Sequence, residues 1–238
     1  MGTTATYVLT HNSPAQLSLL LESFAAAAPD LLTQTEVVVV NQSTRPLPEY
    51  DAVCEGFGVT QVWVPNRGAS GGRFTAARLF AESSHERMFF FEDDLVLRPP
   101  TADVRCRFGF PGVVPDLYSV AQQIVTAEDL AYLKLTFHEL FYDHSRDFLT
   151  NRPAAFEKLG HLGVGYFVGD VYYSNWPMLI TRAGSAALFH EPTVTEGQIM
   201  ARAAERLARG EFRAGVLAAF PVEHTRLEHD RPDKTDLA

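Results

Sequence analysis

Short apolar runs and polar breaks alternate along the first part of the chain, and the runs have two different periods. Thr6-Tyr7-Val8-Leu9-Thr10, Glu36-Val37-Val38-Val39-Val40, Gln61-Val62-Trp63-Val64 and Met88-Phe89-Phe90-Phe91 are short and rich in β-branched or aromatic residues. Such runs are the mark of strands covered on both faces. Between them, Leu17, Leu20, Leu21 and Phe24 recur at helical spacing after the start signal Ser13-Pro14, and Phe74 to Ser83 predicts a second helix that buries Ala76, Ala77, Leu79 and Phe80. Alternation of this kind predicts an α/β chain with a mainly parallel, twisted central sheet flanked by helices. A polar stretch ends each strand: His11-Asn12-Ser13-Pro14, Asn41-Gln42-Ser43-Thr44, Pro65 to Arg73, and Glu92-Asp93-Asp94. In a parallel sheet all four fall on one edge, the edge where open α/β sheets place ligands.

The pattern past Arg98-Pro99-Pro100 is less regular. Thr101 to Pro115 predicts a loop or short hairpin, and Thr126-Ala127-Glu128-Asp129 has the shape of a capping box. Leu130, Leu133, Lys134, Phe137, Leu140 and Phe141 then predict a helix. Val171 to Arg182 reads as a turn and a strand. Thr195 caps a helix carried by Ile199, Met200, Ala203, Ala204 and Leu207 and closed by Arg209-Gly210, and Gly215 to Val222 is a last strand.

Composition narrows the class. With 238 residues, 46% hydrophobic and 21% charged, the chain is ordinary globular protein, read as a single domain over 1–238. No apolar run approaches a membrane span and the first residues lack the basic start of a secretory signal, so a cytoplasmic protein is expected. Cys54 and Cys106 match no metal-binding spacing and read as free thiols. The net charge of −9 argues against broad attraction to nucleic acid and leaves room only for a local basic patch.

Candidate chemistry concentrates at Glu92-Asp93-Asp94. Adjacent carboxylates repel unless a cation offsets them. In an extended chain Glu92 and Asp94 point to one side and Asp93 to the other, so two carboxylates could share a cation while the third faces another partner. A hard divalent cation such as Mg²⁺ takes one or two carboxylates together with substrate phosphates, which points to a phosphate-bearing substrate. Gly68, Gly71 and Gly72 let backbone approach a ligand at a helix start, with Arg67 and Arg73 for charge, although their spacing matches neither the dinucleotide fingerprint nor the Walker loop.

Taken in order, Tyr7 to Asn12, Val37 to Thr44, Asn66 to Arg73 and Phe91 to Asp94 resemble the nucleotide-sugar-binding half of inverting glycosyltransferases with the GT-A fold, whose Asp-x-Asp motif has a Glu-Asp-Asp version. The resemblance implies a nucleotide-sugar-binding half over 1–100 and an acceptor half over 101–238. It implies Mn²⁺ or Mg²⁺ on Asp94, with Glu92 and Asp93 holding the donor's ribose or supporting the metal. It places Thr10, His11 and Asn12 beside base and ribose, and Arg73 near base or diphosphate. Where the family commonly has Asp at the end of the second strand, this chain has Asn41-Gln42, which changes the donor and acceptor pattern offered to the base, so UDP- and GDP-type donors both stay open.

The later segments resemble the acceptor half of the same enzymes. There an acidic residue opening a late helix is the general base and a histidine after the next strand completes the metal shell, which implies Glu196 and His224, with Asp170 the fallback base because Gly197 departs from the family's Glu-Asp. Arg226 would offset phosphate charge, and Trp176 is a sugar-stacking face or a core residue. His138 and His144 read as packed or solvent-facing histidines rather than ligands. Tyr172 to Pro177 and Glu223 to His229 are similar to bacteriophage glycosyltransferases, some of which decorate DNA bases. The implied acceptor is a saccharide or a hydroxymethylated base, with Arg98, Arg105, Arg107, Arg146 and Arg152 available for DNA phosphates. A nucleotidyltransferase and a non-catalytic nucleotide-sugar binder fit the same half-sheet.

Overall fold

The computed structural model describes residues 3–105, 109–137, 156–169, 171, 173–190 and 195–225. The chain opens as expected, with β1 (Thr4–Thr10), α1 (Pro14–Ala27), a short α2 (Asp30–Thr33), β2 (Glu36–Asn41), α3 (Pro48–Phe57), β3 (Thr60–Trp63), α4 (Gly68–Glu82) and β4 (Arg87–Glu92). Pro14 starts α1, where its missing N–H and fixed φ suit the first turn. The stretch α3 was not anticipated, although Pro48 begins it, Glu49 and Asp51 stand in its first turn, and Gly58 ends it at φ 65°.

After β4 come β5 (Leu95–Leu97), α5 (Leu117–Ala127), β6 (Leu130–Lys134), β7 (Phe156–His161), β8 (Val164–Gly169), β9 (Met178–Thr181), α6 (Arg182–Leu188), α7 (Glu196–Ala208), β10 (Arg213–Leu217) and β11 (Val222–His224). The helix expected from Thr126 is corrected here. α5 ends at Ala127, the chain reverses at Asp129 with φ 50°, and Leu130, Leu133 and Lys134 lie on a strand. All five β6 residues are buried, so both of its faces are apolar and spacing alone did not separate strand from helix. Leu140 and Phe141 lie outside the described residues.

Nine strands form one sheet in the order β3-β2-β1-β4-β9-β6-β10-β8-β7. β3, β2, β1 and β4 are parallel neighbours, as are β6 and β10, while β9 and β8 run against their neighbours. The sheet is therefore mixed, a parallel half continued by strands among which two are reversed. The expected last strand is split at Pro221: β10 stays in the sheet, and β11 leaves it to pair antiparallel with β5.

Both faces are covered. On one, Leu17, Leu20, Leu21 and Phe24 of α1, Tyr50 and Cys54 of α3 and Val120 and Ile124 of α5 pack with Val8, Val39, Phe89 and Phe91. On the other, Ala76, Ala77 and Phe80 of α4, Leu188 of α6 and Ile199 and Ala203 of α7 pack with Tyr7, Val40, Met88, Phe90 and Tyr132. Among the described residues no helix is long and apolar enough to cross a membrane.

α6 lies so close to β6 that a Cβ on Gly184 would stand 2.3 Å from the Ala131 carbonyl oxygen. Gly184→Ala is expected to destabilise the chain by about 1–3 kcal/mol in urea unfolding, the usual cost of overpacking. An unchanged midpoint would contradict that close approach.

Candidate active site

The register of the parallel half sets the site. Leu9 lies opposite Glu92, Thr10 opposite Asn41, and Asn41 opposite Trp63, so β1, β2, β3 and β4 finish level and their polar loops share one edge. The carboxylates at that edge do not act as one group. β4 ends at Glu92 and the chain turns at Asp93 and Asp94, so strand alternation stops there and each side chain finds its own partner. Glu92 forms an ion pair with Arg73, which α4 presents to the sheet and which is only 2% exposed. Burial raises the Glu92 pKa; the Arg73 charge opposes that, and Asp94 and Glu196 add to it. Arg73 Nε and Nη1 are buried without a partner.

Asp93 turns the other way, toward β1. Its Oδ2 accepts from Thr10 Oγ1 at 2.6 Å, which leaves Thr10 Oγ1 to accept from the Tyr50 hydroxyl at 2.7 Å, and the Tyr50 oxygen accepts from the Ser13 N–H at 2.7 Å. Burial pushes the Asp93 carboxyl up to about 8, with the Asp94 and Glu92 charges adding and the Thr10 bond opposing. Tyr50 is pushed up to about 12, also by burial first. Asp93 thus joins the acidic turn to α3 and the β1 loop, a link that sequence reasoning missed because Tyr50 sat in an unassigned helix.

The residues expected to meet the base and ribose form a connected loop cluster. His11 Nδ1 lies 3.0 Å from the Gln42 carbonyl oxygen, so in the neutral ring Nδ1 carries the proton and Nε2 accepts from Asn12 Nδ2 at 3.3 Å. Asn12 has φ 52° and exchanges bonds with Ser43 and Thr44. Asn41 and Gln42 are buried and engaged within the protein: Asn41 Oδ1 accepts from the Ser43 N–H, while the Gln42 amide bonds the Gly68 carbonyl and the Arg67 N–H. A Cβ on Gly72 would stand 2.4 Å from Gln42 Nε2, so the glycine-rich start of α4 serves this packing as well as approach to a ligand. α4 begins at Gly68 rather than Phe74, which makes the glycines its first turns.

From the other half of the chain, β11 brings His224 to the acidic turn. His224 Nε2 lies 2.8 Å from Asp94 Oδ2, the Thr225 N–H donates to the Asp94 carbonyl oxygen at 2.8 Å, and the Trp176 ring stands 6.1 Å from the His224 ring. Thr195 caps α7 in a capping box with Gln198, which places Glu196 in the first turn, where the helix dipole favours its charge. Glu196 is also close enough for its charge to act on Glu92. The structure therefore gathers Thr10, His11, Asn12, Asn41, Gln42, Arg73, Glu92, Asp93, Asp94, Trp176, Glu196 and His224 about one sheet edge; Asp170 and Arg226, like His138, His144 and Cys106, lie outside the described residues.

Two expectations change. Glu92 and Asp94 do not share a partner, since Glu92 pairs with Arg73 and Asp94 faces His224. Arg98 is not turned out toward a polyanion: its Nε donates to the Phe220 carbonyl oxygen and its Nη1 pairs with Glu223. Arg105 donates to the Gly109 carbonyl oxygen, and Arg107, Arg146 and Arg152 lie outside the described residues. Lys134, expected on a helix, lies on a strand. It is a buried cation at the end of β6, level with Phe90 across Met178, and its Nζ donates to Ser174 Oγ at 2.6 Å.

Asp94 and His224 suit a cation that takes most of its ligands from substrate and water. Among the described residues there is no cluster of three or more His, Cys, Asp or Glu side chains able to hold a metal alone. One carboxylate and one imidazole facing each other at hydrogen-bond distance would supply part of a coordination shell rather than a closed structural site.

No protein-family model and no curated protein matches the chain. Solved structures do, at low identity. Glucosyl-3-phosphoglycerate synthase from Mycobacterium tuberculosis, in complex with phosphoglyceric acid, matches with a TM-score of 0.56 and 16% identity over 96% of this chain and 74% of that one. A mannosyltransferase from Pyrobaculum calidifontis, in complex with GDP-Man and Mn²⁺, gives 0.56 and 13% over 92% and 57%. CMP:2-keto-3-deoxy-manno-octonic acid synthetase, complexed with CTP, gives 0.51 and 11% over 94% and 93%. The chain has the GT-A type α/β fold that these sugar-nucleotide enzymes share.

The Asp93 environment fixes a sign for pH dependence. An unfolded Asp titrates near ~3.9. Between that value and about 8 the unfolded chain has released a proton that folded Asp93 retains, so its contribution to stability is full below pH ~3.9 and is lost as pH rises through 8. Asp93→Asn, which cannot ionise, is expected to lose less Tm than the parent between pH 5 and pH 8.5 in metal-free buffer. Parallel Tm profiles would show that Asp93 does not titrate in this range.

Proposed function

We propose that this chain is a metal-dependent inverting glycosyltransferase that moves a sugar from a nucleotide-diphosphate sugar to an acceptor hydroxyl. The observation that carries the reading is the meeting of Asp94 and His224 at the ligand-binding edge of a GT-A type sheet. These two side chains would hold Mn²⁺ or Mg²⁺, leaving the other coordination positions to diphosphate oxygens and water. Bound there, the cation would supply charge neutralisation on the departing diphosphate.

The chain's own groups divide the remaining work. Arg73 has two buried donors without partners, and a ligand oxygen that accepted from them would remove a desolvation penalty of about 1–3 kcal/mol. That supports a role on the donor's base or diphosphate, with Glu92 keeping the guanidinium in place. Thr10, His11 and Asn12 line the base and ribose end, shaped from below by Asn41 and Gln42, and Trp176 offers a flat face beside His224 for a sugar ring. Glu196 removes the proton from the acceptor hydroxyl as it attacks the anomeric carbon from the face opposite the diphosphate, which inverts the configuration. Asp170 is the second candidate for that base, and Arg226 for a cation near the phosphates.

The acceptor is a saccharide or a hydroxymethylated DNA base. The inward commitment of Arg98 removes one support from the DNA reading, and the net charge of −9 adds to the case for a saccharide or small molecule. A nucleotidyltransferase is the second reading, favoured by the CTP-bound synthetase among the similar folds. Incubation with nucleoside triphosphates and with diphosphate sugars separates the two: consumption of triphosphate with release of pyrophosphate would replace the transferase reading.

Two variants test the assignment of roles. Asp94→Asn is expected to abolish Mn²⁺-dependent binding of UDP and GDP in calorimetry. Glu196→Gln should bind the nucleotide normally yet lose about 10²–10⁴-fold in transfer rate, the usual contribution of a general base. Full transfer activity in Asp94→Asn would sink the metal assignment, and full activity in Glu196→Gln would move the base elsewhere.

A further inference from the structure

We infer that Arg98 is a positioning residue for the metal half-site, acting through the β5–β11 pair to hold His224 against Asp94. The inference rests on the reading of Asp94 and His224 as metal ligands and goes beyond it, because Arg98 touches neither of them.

β11 is only three residues long and lies outside the nine-stranded sheet, with β5 as its strand partner. Its register puts Val222 opposite Leu97, Glu223 opposite Val96 and His224 opposite Leu95, so the imidazole falls one residue beyond Asp94 across the pair. A two-stranded ribbon of this length is marginal without support. At the His224 end the supports are the Thr225 N–H to the Asp94 carbonyl oxygen at 2.8 Å and Gln16 Nε2 to Thr225 Oγ1 at 2.8 Å. The other end is gripped by Arg98. Its backbone N–H donates to the Pro221 carbonyl oxygen at 2.7 Å, its Nε to the Phe220 carbonyl oxygen at 3.2 Å, and its Nη1 to Glu223 Oε2 at 3.1 Å, while its guanidinium carbon stands 5.0 Å from the centre of the Phe220 ring.

The parts of this grip differ in weight. Glu223 is half exposed, and an ion pair in that setting contributes little. The bond to the Phe220 carbonyl and the stacking on its ring bear on the backbone that enters β11 directly after Pro221, which sets where the strand starts and hence which residue meets Asp94. Groups that orient a metal ligand typically change metal affinity by about 10–100-fold when removed.

The test measures Mn²⁺ affinity by electron paramagnetic resonance, and UDP and GDP affinity with and without Mn²⁺ by calorimetry, on the full chain. Arg98→Ala is expected to weaken Mn²⁺ binding by about tenfold and metal-free nucleotide binding by less than twofold. Arg98→Lys, which keeps a cation able to reach one of the same partners, should recover part of the loss, and Glu223→Gln should stay within twofold of the parent. If Arg98→Ala does not fold, as judged by its thermal transition, Arg98→Lys alone decides by the same split. Unchanged Mn²⁺ affinity in both arginine variants overturns the inference, and so does an equal loss of metal-free nucleotide affinity, which marks general damage. Failure of the unmutated chain to bind Mn²⁺ with either nucleotide overturns the ligand assignment itself, a result visible before any Arg98 variant is read.

Discussion

Three carboxylates in succession at the end of a buried strand are the constraint around which this fold is arranged. Two unit charges at contact distance in a partly buried setting repel by about 4 kcal/mol, and here three follow one another directly. The chain resolves this by ending β4 at Glu92 and sending each side chain to a different element: Glu92 to Arg73 of α4, Asp93 to Thr10 and through it to Tyr50 of α3, Asp94 to His224 of β11. Each solution is chemically distinct. An ion pair answers the first, a raised pKa and a hydroxyl donor answer the second, and the third faces the His224 imidazole.

That division explains why the two halves of the chain meet where they do. The parallel half delivers four polar loops to one edge because its strands end level. The mixed half inserts the reversed β9 next to β4, which turns the following segment back along the sheet and carries Trp176 to the same edge just before it. α7 places its first turn, with Glu196, within electrostatic reach of Glu92. α4, α6 and α7 pack on one face of the sheet and two of them carry Arg73 and Glu196, so the packing that stabilises the sheet also positions these charged groups.

Much of the parallel half was legible in the sequence, because a strand buried on both faces writes an unbroken apolar run and its loop writes a polar stop. The acidic turn, Arg73, Glu196 and His224 were singled out by residue type and by resemblance, and the structure brings them to one sheet edge. What failed did so for physical reasons. β6 is buried on both faces and follows directly on a helix, so Leu130, Leu133 and Lys134 satisfied a helical spacing that the backbone does not follow. The sharing of a cation by Glu92 and Asp94 rests on strand alternation, and β4 ends at Glu92, two residues short of Asp94. Arg98 looked like a surface cation because sequence shows charge and not direction, and the carbonyl of Phe220 that receives it lies 122 residues away. Pairings across such distances leave no local pattern.

The same separation has a kinetic side. Asp94 and His224 are 130 positions apart, and their contact depends on a three-residue strand that sits outside the main sheet. Loop-closure entropy makes contacts of high sequence separation late to form. During synthesis the parallel half can assemble around β1, β2 and β4 long before His224 leaves the ribosome. The chain would therefore pass through a stage in which the loops of the parallel half exist and the Asp94–His224 contact does not, so that this contact reports completion of the fold.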